Sequence, residues 1–303
     1  MLCPGQGSQS PDMLARLAAD PTAAPFLRAL TDHIDPETLT EADDPTRCYL
    51  NRNAQPLILF FGMTVASALR EADVLPALVA GYSVGELTAH AVAGALAPAS
   101  ALALARTRAA CMDAAAPPGH GMLAVRGVSI ERLVARIADT GVSIAIRNSR
   151  DHAILAGPSN VLKELANALS LEFAAQVVPL PISVPAHTVL LADGVADFTH
   201  ALEAANWQPH PCPVLCGMDG HPVSTAEDAI DSLARQIAAP LDWDRVMDIA
   251  GEMGTSVFFE IGPGDGLTRM ARERFPDLPA RALDDFASVD GAIAWLHRMK
   301  QYG

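Results

Sequence analysis

The sequence predicts an α/β fold, with a largely parallel sheet flanked by helices and a smaller subdomain inserted in the chain. Three observations carry this expectation. Extended and helical patterns alternate along the 303 residues. Two short apolar strands run into glycine turns that open helices. A stretch between about residues 118 and 180 follows a βαββαβ order, which is ferredoxin-like. Half of the residues are hydrophobic, enough for one substantial core, and the length suits one large domain plus a subdomain.

From the N-terminus, a short first strand precedes Pro4-Gly5-Gln6-Gly7-Ser8-Gln9. It begins only three residues before Pro4, so either the start is truncated or this edge of the sheet is weak. Met1-Leu2-Cys3-Pro4-Gly5 has neither a basic region nor a long apolar core, so no secretory signal is expected. The acidic residues from Asp32 to Asp44, with Pro36 and Pro45, read as an exposed loop region. Pro56 to Leu69 is nearly apolar over 14 residues, short of the ~20 that cross a bilayer, and reads as a buried helix. Leu78-Val79-Ala80 is a strand that ends in Gly81, and 84–92 has helical composition. After Pro117-Pro118-Gly119 come strand 121–125, helix 129–138, strands 142–147 and 152–156, helix 159–169 and strand 174–179. Ser256–Ile261 is a second buried strand, turning at Gly262-Pro263-Gly264 into a helix that begins near Gly266. The larger domain is therefore expected over 1–117 and 181–303, with the subdomain at 118–180.

A formal charge of −14 without clustered Lys and Arg argues against nucleic-acid binding. Were a partner itself acidic, Arg147 and Arg150 could contribute to a local basic patch. Five cysteines at irregular spacing in a chain of this size point to reduced thiols and a cytoplasmic protein. Cys212 and Cys216, with His210 and His221 nearby, look superficially like a metal cluster. Their spacing and the flanking Pro211 and Pro213 fit no common zinc pattern, and no metal is expected.

The chemistry centres on Gly81-Tyr82-Ser83-Val84-Gly85. G-x-S-x-G between a strand and a helix has the form of a nucleophile elbow, which gives the core an α/β-hydrolase-like character. Its glycines admit close strand–helix approach while Ser83 is presented at a helix N-terminus, where N–H groups favour developing negative charge. The alternative is that the glycines merely pack a tight turn. A serine nucleophile needs a base and oxyanion donors. Among nine histidines, His187 stands out because Pro181 and Pro185 stiffen the segment leading to it, although a helix cap or surface histidine fits the same setting. The Gly5-Gln6-Gly7 turn lacks the Lys-Ser/Thr of a phosphate-binding loop. It can instead aim a backbone N–H at an oxyanion, or be a bare turn.

Taken together, Pro4-Gly5-Gln6-Gly7-Ser8-Gln9, Gly81-Tyr82-Ser83-Val84-Gly85-Glu86, Arg108, Gly121-Met122-Leu123-Ala124-Val125, Asn148-Ser149 with Gly157, Ser183-Val184-Pro185-Ala186-His187, Arg235-Gln236 and Glu260-Ile261-Gly262-Pro263-Gly264 stand in an order and spacing that resemble the malonyl-CoA:acyl-carrier-protein transacylases over essentially the whole chain. The resemblance implies that Ser83 carries the acyl group as an ester and that His187 is its general base. A backbone carbonyl near Gln236 would orient the histidine in place of a carboxylate, and the N–H groups of Gln6 and Val84 would form the oxyanion hole. Arg108, 25 residues after Ser83, falls where malonyl-specific members carry an arginine for the free carboxylate, with Arg106 as the register alternative. The implied substrate is malonyl-CoA, with no permanently bound cofactor, and the implied partner is an acyl carrier protein. The opening Leu-Cys-Pro-Gly-Gln-Gly, the Gly-Tyr-Ser-Val-Gly-Glu-Leu elbow and the stretch from Ala282 to Gly291 are most similar to the malonyltransferase (epsilon) subunit of malonate decarboxylase. There the acceptor is a phosphoribosyl-dephospho-CoA thiol on a carrier subunit within the complex. A housekeeping transacylase and a serine hydrolase or thioesterase are the alternatives. Tyr82 departs from the more common histidine, and Cys216 and Gly217 fall where many members have asparagine.

Overall fold

Short apolar strands ending in glycine or loops, and one longer antiparallel set, build two separate sheets. The structure, a computed structural model, describes residues 1–302, with side chains to residue 300. In chain order the strands are β1 (Leu2–Cys3), β2 (Val79–Gly81), β3 (His120–Arg126), β4 (Ser143–Ser149), β5 (His152–Pro158), β6 (Gln176–Leu180), β7 (Val214–Leu215), β8 (Pro222–Val223), β9 (Leu241–Asp242), β10 (Phe258–Glu260) and β11 (Ala280–Ala282). The larger sheet has the order β11-β10-β1-β2-β7-β8. Its strands run parallel except β8, which pairs antiparallel with β7. Strands of a parallel sheet covered on both faces are apolar throughout, and every residue of β1, β2 and β10 is buried. The fold is thus of the α/β-hydrolase-like kind. The expected strand 256–261 is narrower, at Phe258–Glu260, and the helix after it starts at Gly266.

Two expectations from the N-terminal third are corrected. The first strand is short but lies centrally, between β10 and β2, so it is no sheet edge. The acidic stretch 32–44 is not simply an exposed loop. Pro36–Glu41 is a helix capped by Asp35, and Glu41 is buried. Its carboxylate is held by Arg47, Arg52 and Asn53, partners more than five residues away in sequence. The nearly apolar run 56–69 lies inside the buried helix Asn51–Glu71. Among the described residues, no helix is long and apolar enough to cross a membrane.

The second sheet has the order β6-β3-β5-β4-β9. Its first four strands are antiparallel and, with helices Ile130–Ile137 and Ser159–Phe173 between them, follow the ferredoxin-like arrangement. β9, from the C-terminal part of the chain, adds parallel to β4, so one strand of the core segment completes the subdomain sheet. Alternation along β3 separates two environments. Leu123 and Val125 enter the subdomain's own core with Leu133, Leu155 and Leu169, while Met122 and Ala124 face a cleft against the larger sheet.

Candidate active site

The cleft between the two sheets has a volume of about 380 Å³, and Ser83, His187, Arg108 and Gln6 all open onto it. The turn from β2 into helix Val84–Val92 sets Ser83 at φ 57° and ψ −120°. Such a conformation is strained for a residue with a side chain, and it projects the hydroxyl beyond the strand end. The glycines around it are required by contact. A Cβ on Gly81 would lie 2.2 Å from the backbone of Gly85 and Glu86, and one on Gly85 only 2.1 Å from the carbonyl oxygen of Cys3.

His187 is buried and also has a positive φ of 62°. Its backbone N–H donates to the Ile237 carbonyl at 2.9 Å. The ring spans two partners, with Nε2 2.7 Å from Ser83 Oγ and Nδ1 2.6 Å from the Gln236 carbonyl oxygen. Because a carbonyl can only accept, Nδ1 carries the proton and Nε2 faces the serine as an acceptor. Burial, then the charge of Arg108, pushes His187 down to about 3, with the Gln236 hydrogen bond opposing them. The imidazole is therefore neutral at neutral pH and free to take a proton.

Arg108 lies on helix Pro98–Ala115 and is 1% exposed. Nη1 donates to Gln55 Oε1 at 2.8 Å, and Nη2 lies 3.4 Å from both Ser83 Oγ and Gln236 Oε1. Nε has no partner, and among the described residues no carboxylate forms a salt bridge with this guanidinium. Desolvation lowers its pKa to about 10, still charged at neutral pH. Arg106, two positions earlier, lies on the outer face and pairs with Asp35 at 3.5 Å. Of the two register candidates, Arg108 is the one that faces Ser83.

Gln6 lies in the Gly5–Gly7 turn beside the elbow, and Gly7 has φ 122°. Among the described residues the backbone N–H groups of Gln6 and Val84 have no acceptor, and Val84 opens the helix behind Ser83. Tyr82 donates its hydroxyl to Asn148 Oδ1 at 2.9 Å and packs edge-on against Trp243, tying the elbow to the subdomain sheet. At the position where asparagine is common, Gly217 instead offers its N–H to Glu86 Oε2 at 2.8 Å.

Three further polar residues were not singled out from the sequence. Gln55, which holds Arg108, is one of three amides, with Asn51 and Asn53, at the start of the helix Asn51–Glu71, so its residue type alone did not mark it. Glu86 stood in the elbow motif without an assigned role and Ser232 gave no local signal, because the two meet across 146 positions. Arg147, considered for a basic patch, is engaged with Asp242 and Asp244 at 3.6 and 2.8 Å. Of the metal-like residues, His210 pairs with His90 at 2.9 Å, whereas Cys216 and His221 lie together and group with Asp219. Burial pushes the Cys216 thiol up to about 12, so it is a neutral group and not a thiolate. All five cysteines are free.

A serine with a neutral histidine acceptor, two free N–H donors and a buried cation can transfer an acyl group that bears a carboxylate. The acyl transferase domain family model matches residues 1–206. The malonyl CoA-acyl carrier protein transacylase of Mycobacterium tuberculosis is 31% identical, with 96% of this chain and 97% of that protein covered. The solved acyl-carrier-protein S-malonyltransferase of Burkholderia pseudomallei is 29% identical and superposes with a TM-score of 0.87 over 97% of this chain and 98% of that one. A type II PKS acyl-carrier protein in complex with its malonyl-transacylase gives the same TM-score at 28% identity, with 97% and 98% covered.

Proposed function

The chain belongs to the acyl transferase domain family and groups with its malonyl CoA-acyl carrier protein transacylases, and from that premise we propose that it moves malonyl from malonyl-CoA to a carrier-protein thiol through an ester on Ser83. The observation that carries this reading is Arg108: a guanidinium 1% exposed, 3.4 Å from the nucleophile, with a donor unused and no carboxylate on it. Burying a cation is costly unless it is paired. A malonyl carboxylate would supply the pair, by two parallel N–H donors, and acetyl cannot.

In this mechanism Ser83 Oγ attacks the thioester carbonyl and its proton passes to His187 Nε2. The Gln236 carbonyl, holding Nδ1–H, stabilises the imidazolium that forms. The N–H groups of Gln6 and Val84 receive the oxyanion, a contribution of about 3 kcal/mol per donor. Collapse expels the CoA sulfur, which takes the proton from His187, and leaves the malonyl ester on Ser83. A carrier thiol then enters by the reverse sequence and regenerates the free serine.

The acceptor best supported is an acyl carrier protein of fatty-acid or polyketide synthesis, since the similar proteins bear that name and one is solved with its carrier. The segments Leu2–Gly7, Gly81–Leu87 and Ala282–Gly291 support a second setting, the carrier subunit of malonate decarboxylase. The free cysteines fit a reducing compartment such as the cytoplasm.

Incubation with malonyl-CoA should add one malonyl mass to the peptide containing Ser83, and none in Ser83→Ala. Addition of a thiol-bearing carrier should discharge it. Rapid CoA release and malonate formation without a carrier would identify a hydrolase instead.

A further inference from the structure

Glu86 follows the nucleophile by three positions, and its backbone N–H donates to the Ser83 carbonyl at 3.0 Å. The side chain is fully buried. One carboxyl oxygen accepts from the Ser232 hydroxyl and the other from the Gly217 N–H at 2.8 Å. A Cβ on Gly217 would lie 2.8 Å from that oxygen, so the close approach depends on glycine. Ser232 lies on helix Ala226–Arg235, one turn before Gln236, and its carbonyl accepts the Gln236 N–H at 3.1 Å. Gln236 in turn presents its carbonyl to His187 Nδ1 and its Oε1 to Arg108.

We infer that Glu86 is a positioning residue: by holding Ser232 it fixes the last turn of the 226–235 helix, and with it the Gln236 carbonyl that orients His187 toward Ser83. The inference rests on reading Ser83 and His187 as the nucleophile and its base. Two elements far apart in sequence must hold a 2.7 Å contact between serine and imidazole. Small displacements of reacting groups are costly in rate, and no carboxylate hydrogen-bonds His187 to limit such drift. Glu86 supplies the restraint from the same turn that carries the nucleophile, so the serine and the carbonyl behind the histidine are registered through one side chain. Buried and accepting from two donors, the carboxyl group has little freedom of its own.

A double-mutant cycle tests this with Ser232→Ala, which leaves a good helix former in place, and Glu86→Gln. Single-turnover acylation by malonyl-CoA and the His187 Nδ1–H proton resonance are both read. Each single change should slow acylation about tenfold while KM for malonyl-CoA moves less than about twofold. The double variant should be less than about threefold slower than the slower single one, because both remove one link. The Nδ1–H resonance should move in both single variants. Acylation by Ser232→Ala within about twofold of wild type with an unmoved resonance, or single effects that multiply in the double variant, would overturn the inference. Failure of the wild-type protein to form the ester would instead sink the acyl-transfer reading, and the resonance alone then decides whether Glu86 positions His187.

Discussion

Arg108 and His187 bring opposite requirements to one small space. The guanidinium is kept charged in a buried position and the imidazole is kept neutral, in part by that charge. Arg108→Ala should therefore lower malonyl transfer by two orders of magnitude or so, as expected for losing a buried bidentate contact of about 3 kcal/mol, while acetyl transfer holds or rises. Parallel assays with malonyl-CoA and acetyl-CoA check this, and equal losses would make Arg108 purely structural. Stability should depend on pH through four buried groups. His187 and His90 are held down to about 3. The unfolded chain takes up these protons from about pH 6.5 and the folded chain does not, so acidification from there to pH 3 favours unfolding. Glu86 and Glu260, pushed up to about 7 by burial, act in the opposite sense: the folded chain binds their protons first, so acidification from pH 7 to about 4.5 favours folding. The Tm should stay nearly level from pH 6.5 to 4.5 and fall steeply below that. A steady fall beginning at pH 6.5 would show that the carboxyl groups do not compensate.

The strand–turn–helix unit around Ser83 works only because two glycines allow β1, β2 and the elbow helix to touch. Gly85→Ala would drive a methyl into the Cys3 carbonyl and should destabilise the protein by about 3 kcal/mol, measured by urea unfolding. Tyr82→Phe is gentler. It keeps the ring against Trp243 but leaves Asn148 without its donor, so a loss of about 1 kcal/mol is expected with ester formation on Ser83 retained. At this scale much was legible. The elbow, the buried helix over 56–69 and the βαββαβ order follow from local periodicity and glycine placement. The helix at Pro36–Glu41 was not legible, because the acidic residue that looked solvent-exposed, Glu41, is satisfied by Arg52 and Asn53 from the next helix.

Across the whole molecule, function depends on a cleft whose two walls come from different sheets. Ser83 and Gln6 come from the larger sheet's loops, while Met122, Ile146 and Asn148 come from the smaller one. Presented with the purified carriers at equal concentration, the Ser83 ester should discharge faster to an acyl carrier protein bearing phosphopantetheine than to a malonate decarboxylase carrier subunit. The reverse order of rates would favour the second setting. By itself the sequence determined most elements, the elbow that presents Ser83 and the residue types around it, because turn chemistry, periodicity and motif order are local properties of the chain. Only the tertiary structure decided that Arg108 rather than Arg106 faces Ser83, that β1 is central, that Arg147 is engaged in ion pairs, and that Glu86 meets Ser232. Those outcomes depend on which buried groups find partners across long sequence separations, and the cost of burying a polar group unpaired is settled only when the chain has packed.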